Sequence, residues 1–378
     1  MKLVYIVNAR IPTEKAHGYQ ITKMCEEFAS AGAEVELWAP TRQNPIKENA
    51  FEYYGLKRNY EIKYIKSFDF IRFDKFLLRK SVYLQSLFFL LKLALKRVDK
   101  DAIIYTRNPE LVWLFGLRGI RVVYDAHSWP ESKTGILKLL LHSVDAIICN
   151  SRGTEKKFQE NGFKNTLSAP NGVDLHDFED QPGTVKLRNE LGLPLDKKIA
   201  MYVGHLYEWK GIDVLLDCAE LMKVKKDLFF AVIGGTEKDI KKYRKIIEDK
   251  KLKNIVFFGF KNKKIIPQYL QSADIMLLPN VPVSAESSEY TSPIKLFEYM
   301  ASGRPIVASN LPSIREVLDE ETAFFCQPGN AEDLNKKITQ VLNDLVNAHL
   351  KADAAREKVR EYTWEKRAGR ILKFVNAK

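Results

Sequence analysis

One pattern organises both halves of the chain: a short apolar run, a polar turn, and then a longer helical stretch. Strands of a parallel sheet are buried on both faces, so they consist of nearly continuous apolar residues. Such runs alternating with helical segments predict an α/β fold, a parallel sheet with helices on both faces. The runs expected to form strands are residues 3–7, 35–39, 102–105, 122–125 and 146–149 in the first half, and 199–203, 229–233, 255–258, 275–278, 305–308 and 323–326 in the second.

The length of 378 residues predicts two domains, because a domain typically holds roughly 150 residues. A hydrophobic content of 46% is enough for two separate cores. Between the two halves lies P-N-G-V-D, Pro170 to Asp174, in which Asn-Gly favours a turn. We therefore predict an N-terminal domain of residues 1–172, a C-terminal domain of residues 173–361, and a terminal helix in residues 362–378.

The chain is basic, with a formal net charge of +12 and a pI near 9.2. Three kinds of anionic partner fit this charge: nucleic acid, an acidic membrane surface, or phosphorylated substrates. The four cysteines lack metal or redox spacing, which indicates reduced residues of a cytoplasmic protein. The first residues resemble a strand rather than a signal peptide, and no window is apolar enough for a membrane span. A cytoplasmic protein, soluble or peripheral, is expected.

The segment 289–309, E-Y-T-S-P-I-K-L-F-E-Y-M-A-S-G-R-P-I-V-A-S, places a cation at a predicted helix start. Ser292 is a good N-cap, and Pro293 suits the first helical position. Lys295 then lies in the first turn, where the helix dipole disfavours a cation unless an anion shares the site. Glu298, one turn further, would accept hydrogen bonds from sugar hydroxyls. The alternative is a solvated Lys–Glu pair on an ordinary surface helix.

A second candidate anion site is G-H-L-Y-E-W-K-G, residues 204–211, which joins a predicted strand to a predicted helix. A glycine turn after a strand, with Lys210 close to the next helix, is a typical phosphate-binding arrangement. Further turns after predicted strands would line the edges of a nucleotide pocket: Gly234-Gly235-Thr236, Gly259-Phe260-Lys261 and Pro279-Asn280.

These segments, together with P-N-G-V-D, resemble the retaining family 4 glycosyltransferases, or glycosyl transferases group 1, over nearly the whole chain. Within that family, the chain resembles a subgroup with the donor-site sequence S-P-x-K-L-F-E-Y-M-A. The resemblance implies the GT-B fold, in which two Rossmann-like, doubly wound domains face each other across a cleft. It also implies that the terminal helix packs back on the first domain, with Trp364 as its anchor.

The resemblance assigns roles to individual residues. Glu298 would bind the ribose hydroxyls, while Lys210 and Lys295 would stabilise the leaving diphosphate. His127, in Y-D-A-H-S-W-P-E just beyond a predicted strand, would contact the sugar or acceptor near the reacting carbon. A structural histidine is the alternative there, and an exposed loop aromatic is the alternative for Phe260, which would contact the base. The other expected donor-site residues are Gly18, Gly204, His205, Gly234, Gly235, Tyr290, Thr291, Ser292, Pro293 and Ile294.

Two positions depart from the family pattern. Tyr290 stands where the family's donor motif has its first glutamate, and His205 stands where an arginine usually accompanies the lysine matched by Lys210. Histidine donates hydrogen bonds to phosphate but is mostly uncharged at neutral pH. No cofactor is expected. No metal is expected to bridge the diphosphate either, because fixed cations and helix N-termini can supply the same electrostatic stabilisation.

Residues 56–98 form a basic segment in which aromatic residues are interleaved with lysine and arginine. The stretch 56–80 has the composition of a contact with an anionic membrane surface. Nucleic acid is the competing partner, but no nucleic-acid-binding module surrounds the segment, so a lipid surface is preferred. The apolar stretch 76–97 is also compatible with a core helix. A peripheral position on the inner face of the plasma membrane is therefore a further expectation.

The sequence as a whole predicts a retaining, metal-independent glycosyltransferase of the hexosyltransferase type. It would transfer sugar from a nucleotide-diphosphate sugar to the hydroxyl of a sugar or lipid-linked acceptor, in assembly of a glycan, cell-envelope polysaccharide or glycolipid. Two alternatives stay open. One is a sugar-nucleotide epimerase of the same fold, and the other is a catalytically silent subunit that binds a membrane or a complex.

Overall fold

The computed structural model describes residues 1–73, 80–290 and 292–377. Thr291, and residues 74–79 of the basic segment, lie outside the described residues. The chain divides into two compact units, one of Met1–Pro170 with Trp364–Lys378 and one of Asn171–Thr363. Among the described residues, no helix combines the length and the apolar character needed to cross a membrane.

The first unit is built on a sheet of seven parallel strands in the order β3-β2-β1-β4-β5-β6-β7. Helices connect successive strands, as parallel pairing requires. The elements are β1 Lys2–Ile6, α1 Ala16–Ser30, β2 Glu34–Pro40, α2 Ala50–Tyr54, β3 Glu61–Ile65, α3 Ser81–Ala94, β4 Ile103–Thr106, α4 Pro109–Gly116, β5 Val122–Ala126, α5 Thr134–Leu140, β6 Ala146–Cys149, α6 Arg152–Glu160 and β7 Thr166–Ser168, and the C-terminal helix described below.

The second unit contains a sheet of six parallel strands in the order β10-β9-β8-β11-β12-β13. Its elements are α7 Thr184–Leu191, β8 Lys198–Val203, α8 Ile212–Leu221, β9 Leu228–Ile233, α9 Glu237–Asp249, β10 Ile255–Gly259, α10 Ile266–Ser272, β11 Ile275–Leu278, α11 Ile294–Ala301, β12 Ile306–Ser309, α12 Pro312–Arg315, β13 Phe324–Cys326, α13 Ala331–Asn343 and α14 Leu345–Lys358.

Both sheets are doubly wound, which confirms the predicted fold class. Strand β8 shows why its sequence is apolar throughout: Ile199 and Met201 pack in one core cluster, whereas Ala200 and Tyr202 pack in the other. The strand order reverses direction beside β1 in the first sheet and beside β8 in the second. Ligands of doubly wound sheets bind at the carboxyl ends of the strands next to such a reversal.

The final helix, α15, spans Trp364–Asn376 and belongs to the first unit, where it packs against α1. Trp364 is fully buried, and its ring meets the ring of Tyr19 edge-on at 6.3 Å. Arg121 donates a hydrogen bond to the carbonyl of Val375 at 2.8 Å. The last residues of the chain are thereby held beside the first helix.

The strands predicted in the second half lie within two residues of the observed ones, but two strands of the first half were missed. The edge strand β3 is half exposed and includes charged residues, so it lacks the continuous apolar run used to find the others. Strand β7 has three residues, none of them buried. Within the apolar stretch 76–97, the described residues form a helix over Ser81–Ala94, and residues 76–79 lie outside the described part.

Candidate active site

The start of α11 differs from the prediction by one residue. Pro293 is the N-cap, the helix begins at Ile294, and Ser292 lies one residue before the cap. The hydroxyl oxygen of Ser292 instead accepts a hydrogen bond from the Asn171 N–H at 3.0 Å, and Asn171 Nδ2 donates to the Ser292 carbonyl. Asn171 therefore positions the segment that leads into α11, which the sequence alone did not indicate.

Lys295 is buried in the first turn of α11, with 8% of its surface exposed. Its Nζ lies 4.0 Å from the centre of the Tyr202 ring and, within the part of the chain that the structure describes, has no hydrogen-bond partner. Burial, assisted by the charge of Lys210, lowers the pKa of the Lys295 amine well below its usual value. The alternative of a solvated Lys–Glu pair is therefore wrong for this helix.

Glu298 is also buried, with 6% exposure, but its partner is a residue that the sequence did not suggest. Lys263, which follows β10, places its Nζ 2.7 Å from Glu298 Oε1 and 3.6 Å from an oxygen of Asp177. The carboxylate of Glu298 is thus held by a lysine from a neighbouring loop. Charge-assisted contacts of this kind fix the orientation of a carboxylate.

The ends of β8, β9 and β10 are joined by backbone hydrogen bonds that leave no room for side chains. The N–H of Gly204 donates to the Ile233 carbonyl at 2.9 Å, and the N–H of Gly234 donates to the Gly259 carbonyl at 2.8 Å. Gly234 has φ 120°, and a Cβ there would lie 2.1 Å from the Gly204 oxygen. Gly235 follows with φ 87°. These glycines bring bare backbone to the carboxyl edge of the sheet.

Lys210 ends a short 3-10 turn, Glu208–Lys210, that is docked on the loop after β11. The N–H of Val281 donates to the Trp209 carbonyl at 2.9 Å. Gly211 has φ 73°, and a Cβ there would lie 1.7 Å from the carbonyl oxygen of Pro279. Lys210 Nζ lies 3.5 Å from the centre of the Trp209 ring. The cation is therefore fixed between the carboxyl ends of β8 and β11.

Tyr299 and Asn280 are buried polar residues whose contacts the sequence did not predict. The hydroxyl of Tyr299 accepts a hydrogen bond from the Val203 N–H at 2.8 Å and lies 3.3 Å from the Val203 carbonyl, which links α11 to the end of β8. Asn280 is completely buried just after β11, and neither atom of its amide bonds to a described residue. The sequence placed Tyr299 in the donor-site motif and Asn280 in a turn beside the predicted nucleotide pocket, but only the tertiary structure shows which groups surround them.

Three other predicted donor-site residues of the second unit, His205, Phe260 and Tyr290, differ in their surroundings. The ring of His205 stacks on Tyr207 at 5.1 Å, and its carbonyl accepts a hydrogen bond from the Tyr202 hydroxyl at 2.6 Å. Phe260 follows β10 and is 51% exposed, whereas Tyr290 is 3% exposed. Thr291 is the one predicted site residue outside the described part.

In the first unit, His127 belongs to a buried polar cluster around Asp125. Asp125 Oδ2 lies 3.1 Å from His127 Nε2, 2.9 Å from Arg107 Nε and 3.2 Å from the Tyr5 hydroxyl. Its other oxygen lies 3.3 Å from Nη2 of Arg367, which comes from α15. Hydrogen bonding to Asp125 fixes the orientation of the histidine ring.

The electrostatics of this cluster keep the carboxylate charged and the histidines neutral. Burial favours protonation of Asp125, but His127, Arg107 and Arg367 hold its pKa well below the usual range. Burial and the charge of Arg107 lower the pKa of His127. The sequence did not identify His17. Burial, together with the charges of Arg107, Lys15 and His127, lowers the pKa of the His17 imidazole to about 4. A surplus of positive charge surrounds both imidazoles.

Gly18 is the third residue of α1 rather than its first. A Cβ at this position would lie 2.2 Å from the hydroxyl of Tyr54 and 2.4 Å from a methyl carbon of Thr13. The Tyr54 hydroxyl accepts from the Thr13 N–H at 2.8 Å and donates to the Thr13 carbonyl at 2.7 Å. Close packing of Tyr54 on the loop before α1 is thus a structural reason for glycine.

The structure gathers the predicted site residues into two groups. Lys210, Lys295, Glu298 and the strand-end glycines belong to the second unit, whereas His127 and Gly18 belong to the first.

An Asp-x-Asp triplet, Asp99 to Asp101, precedes β4, and within it Asp99 Oδ1 accepts from the Asp101 N–H at 3.2 Å. The described residues contain no group of three His, Cys, Asp or Glu side chains suited to a metal ion.

Two family descriptions match the chain along most of its length. Residues 18–177 match glycosyltransferase family 4, and residues 184–362 match glycosyl transferases group 1. HepE of Anabaena, solved in complex with UDP and glucose, is similar over 100% of both chains, with a TM-score of 0.76 and 17% sequence identity. The two doubly wound sheets therefore define a GT-B fold. The chain belongs to the family 4 glycosyltransferases, the glycosyl transferases of group 1.

Curated relatives match over shorter stretches. The amylovoran biosynthesis glycosyltransferase AmsK of Erwinia amylovora is 31% identical over 160 residues, which cover 42% of this chain and 38% of that protein. The putative colanic acid biosynthesis glycosyl transferase WcaI of Escherichia coli is 29% identical over 168 residues, 43% of this chain and 40% of that protein. The chain spans roughly half the length of the curated relatives it matches, from 38% to 57%.

Proposed function

We propose that the protein is a retaining glycosyltransferase that takes a nucleotide-diphosphate sugar and transfers its sugar to a hydroxyl acceptor. The observation that carries this proposal is Lys295. A buried amine without a hydrogen-bond partner among the described residues is costly to maintain, and an anionic ligand would offset that cost. The UDP and glucose named for the HepE structure support a donor of this class.

Lys295 and Lys210 are assigned to the leaving diphosphate. As the bond to the sugar breaks, negative charge accumulates on the diphosphate, and two fixed cations stabilise that charge without rearrangement. The positive charge of Lys210 contributes to the lowered pKa of Lys295, so the two amines would act together on one ligand. The bare backbone at Gly204 and Gly234 would let a diphosphate approach the sheet edge closely. No metal or other cofactor is required by this assignment.

Glu298 is assigned to the ribose hydroxyls, with Lys263 orienting its carboxylate through the 2.7 Å contact. Phe260 is half exposed directly after β10 and is assigned to the base. His127 is assigned to the sugar or acceptor near the reacting carbon. A neutral imidazole that donates its Nε2 proton to Asp125 leaves Nδ1 as a hydrogen-bond acceptor.

The carboxylate of Asp125 is a poor candidate for a nucleophile because four side chains already donate to it or pair with it. A front-face reaction, in which the acceptor enters on the side that the diphosphate leaves, needs no protein nucleophile. That mechanism retains the configuration at the transferred carbon.

The names of AmsK and WcaI place those proteins in the biosynthesis of amylovoran and colanic acid. By analogy, we assign this protein to cell-envelope polysaccharide assembly on the cytoplasmic side of the membrane. The basic segment 56–80 would contact anionic lipid near the acceptor. Lys63 is unsuitable for that contact, because β3 pairs it with Glu36 at 2.9 Å and Glu61 at 3.3 Å.

The donor is tested by thermal shift with a panel of nucleotide-diphosphate sugars. One nucleotide-sugar should raise the melting temperature of the wild type, and Lys295→Met should abolish the shift. Lys226→Met, which changes an exposed lysine of the same unit, is the matched control. If no nucleotide-sugar shifts the wild type, the silent-subunit alternative replaces the proposal.

The reaction is tested by nucleotide release with the donor so identified. Release should require an added hydroxyl acceptor and should be unaffected by a chelator. Conversion of the nucleotide-sugar without any acceptor would identify an epimerase instead. Loss of release on chelation, restored by a divalent ion, would overturn the metal-independent mechanism. The configuration of the product, determined by NMR, decides whether the enzyme retains or inverts.

A further inference from the structure

Helix α3 in the first unit buries two polar side chains and exposes several apolar ones, the reverse of an ordinary surface helix. Its buried positions are Ser81, Gln85, Phe89 and Leu93, one every four residues, and two of the four are polar. Gln85 is fully buried, where its Nε2 donates to Ser67 Oγ at 3.2 Å and its Oε1 accepts from the Phe70 N–H at 3.1 Å. A surface helix normally buries its apolar face and exposes polar side chains.

The outward face of this helix is apolar. Lys92 is the only charged residue among Ser81–Ala94. Contiguous exposed apolar surface of this extent is uncommon in soluble proteins and marks an interaction site. The large exposed side chains are Val82 (57%), Tyr83 (72%), Leu87 (50%), Phe88 (41%), Leu91 (53%) and, just beyond the helix, Leu95 (84%).

Neighbouring elements extend this apolar face. Before α3, Phe68 is 58% exposed and stacks on Phe73 at 5.9 Å, while the ring of Phe70 lies 4.8 Å from that of Phe88. Helix α4 packs beside α3, and α5 packs beside α4. These two helices add four exposed apolar side chains: Trp113 on α4, Leu117 just after it, and Ile136 and Leu139 on α5.

The charges around this face are predominantly positive. Among the described residues from 66 to 97, the single acidic side chain is Asp69, which accepts a hydrogen bond from the Gln43 N–H at 2.9 Å. The cations are all exposed: Lys66, Arg72, Lys80, Lys92, Lys96 and Arg97. Six cations against one anion make the border of the apolar face strongly attractive to an anionic surface.

We propose that α3, with the aromatic turn 68–73, lies in the plane of an anionic lipid bilayer and inserts its apolar side chains among the acyl chains. The six cations would then meet the lipid phosphates, as basic amphipathic helices do. This proposal rests on the membrane contact in the proposed function. There the contact depends on charge alone, whereas here it also depends on burial of apolar side chains in the bilayer.

A bilayer fits this surface better than a protein partner. A second copy of the chain would bring six cations against six. Protein interfaces also carry about one hydrogen bond per 100–200 Å² of buried surface. Of the six large outward side chains of this helix, Tyr83 alone offers a hydrogen-bonding group. An acyl layer requires no hydrogen bonds from the side chains that enter it.

The first experiment is vesicle flotation of the intact protein at low salt and at about 0.5 M salt, where charge attraction is screened within a few ångströms. Phosphatidylcholine vesicles are compared with vesicles that also contain phosphatidylglycerol. Binding should require phosphatidylglycerol, and a measurable part of it should survive high salt. Complete release at high salt would show contact by charge alone and would overturn insertion.

The second experiment replaces two outward leucines by glutamine, in the double variant Leu87→Gln with Leu91→Gln. We expect at least about a tenfold fall in partitioning, because two half-exposed leucines no longer gain burial in the acyl layer. The matched control is Val346→Gln with Leu350→Gln, also exposed and four residues apart, on α14 of the second unit. Equal binding by the two double variants would overturn the proposal.

A labelled cysteine reports insertion directly. All four native cysteines are buried, so a new exposed cysteine can be labelled selectively. An environment-sensitive dye at Tyr83→Cys should shift its emission to the blue on phosphatidylglycerol vesicles, whereas the same dye at Val346→Cys should not. An unchanged emission at Tyr83→Cys on bound protein would place α3 outside the acyl layer.

Self-association is the remaining competitor. Light scattering without vesicles should give the same mass for the wild type and for the Leu87/Leu91 variant. A dimer that this variant dissociates would assign the face to a second copy and overturn the bilayer. Donor binding, measured by thermal shift, should be equal in both proteins. A failure of insertion is thus distinguishable from a failure of the proposed glycosyltransferase.

Discussion

Each unit buries a charged side chain near the carboxyl ends of its strands, but the two side chains have opposite surroundings. In the first unit, Asp125 is surrounded by Tyr5, Arg107, His127 and Arg367, all within 3.3 Å. In the second unit, Lys295 is buried to a similar depth, and its amine meets only an aromatic face among the described residues. A charge with internal partners contributes to structure, whereas a charge without them is available for a ligand.

The difference predicts that substitution at the two sites will affect different quantities. Removing Asp125 leaves two buried guanidinium groups uncompensated, so stability should change most. Removing Lys295 relieves a desolvated amine, so stability should change little while ligand chemistry is lost.

The largest effect is expected for Asp125→Asn. Breaking a buried ion-pair network by removing one partner typically costs about 3–5 kcal/mol of stability. Urea unfolding measures this loss, and Asp145→Asn is the control, since Asp145 accepts from the Val122 backbone N–H at 2.7 Å but pairs with no cation among the described residues. A loss below about 1 kcal/mol for Asp125→Asn would contradict the view that the first cluster is structural.

Lys210→Ala and Lys295→Ala should each lower turnover by two to three orders of magnitude, about 3–4 kcal/mol of transition-state stabilisation. Neither should lower the melting temperature appreciably, because Lys295 lies in a first turn, where a cation contributes little to its own helix, and Lys210 lies in a short turn before α8. Turnover with the donor found by thermal shift is the measurement. If either variant keeps near wild-type activity, that lysine does not stabilise the leaving diphosphate.

The surplus positive charge around His17 predicts that stability depends on pH. The pKa of His17 falls from 6.5 to about 4 on folding, so between these pH values the unfolded chain binds the proton and the folded chain does not. Stability should therefore decrease as pH falls through this window, by up to about 3 kcal/mol for this group.

Urea unfolding near neutral pH and at about pH 4.5 tests this prediction. The variant His17→Gln should reduce the loss of stability at acid pH, whereas a change at the exposed His142, His142→Gln, should leave it as in the wild type. Equal acid sensitivity of His17→Gln and the wild type would show that the Arg107 region does not keep His17 neutral.

The smallest effect is expected for Lys263→Gln, which removes the cation that holds Glu298. The KM for the donor should rise about tenfold, or about 1.4 kcal/mol, with kcat little changed, because ribose binding is equal in ground and transition states. Lys264→Gln changes the exposed neighbouring lysine and is the control. A fall in kcat without a change in KM would remove Glu298 from the ribose site.

The sequence predicted those features that follow from local composition. Continuous apolar runs identified all six strands of the second sheet, because burial on both faces leaves no choice but apolar residues. The same criterion missed β3, whose edge position tolerates Lys63 and Glu61. Glycine turns and the cation of α11 pointed to Lys210 and Lys295, because a sequence shows directly both the glycines that permit positive φ and a lysine in the first turn of a helix.

Only the tertiary structure decided which side chains meet. Asp125 and Arg367 are 242 residues apart, and Lys263 reaches Glu298 from a loop that carries no motif. The structure also showed that α3 buries glutamine and exposes leucine, although its sequence is compatible with a core helix. Periodicity limits which residues share a helix face, but the packing of neighbouring elements determines which face is covered, and that depends on contacts between distant parts of the chain.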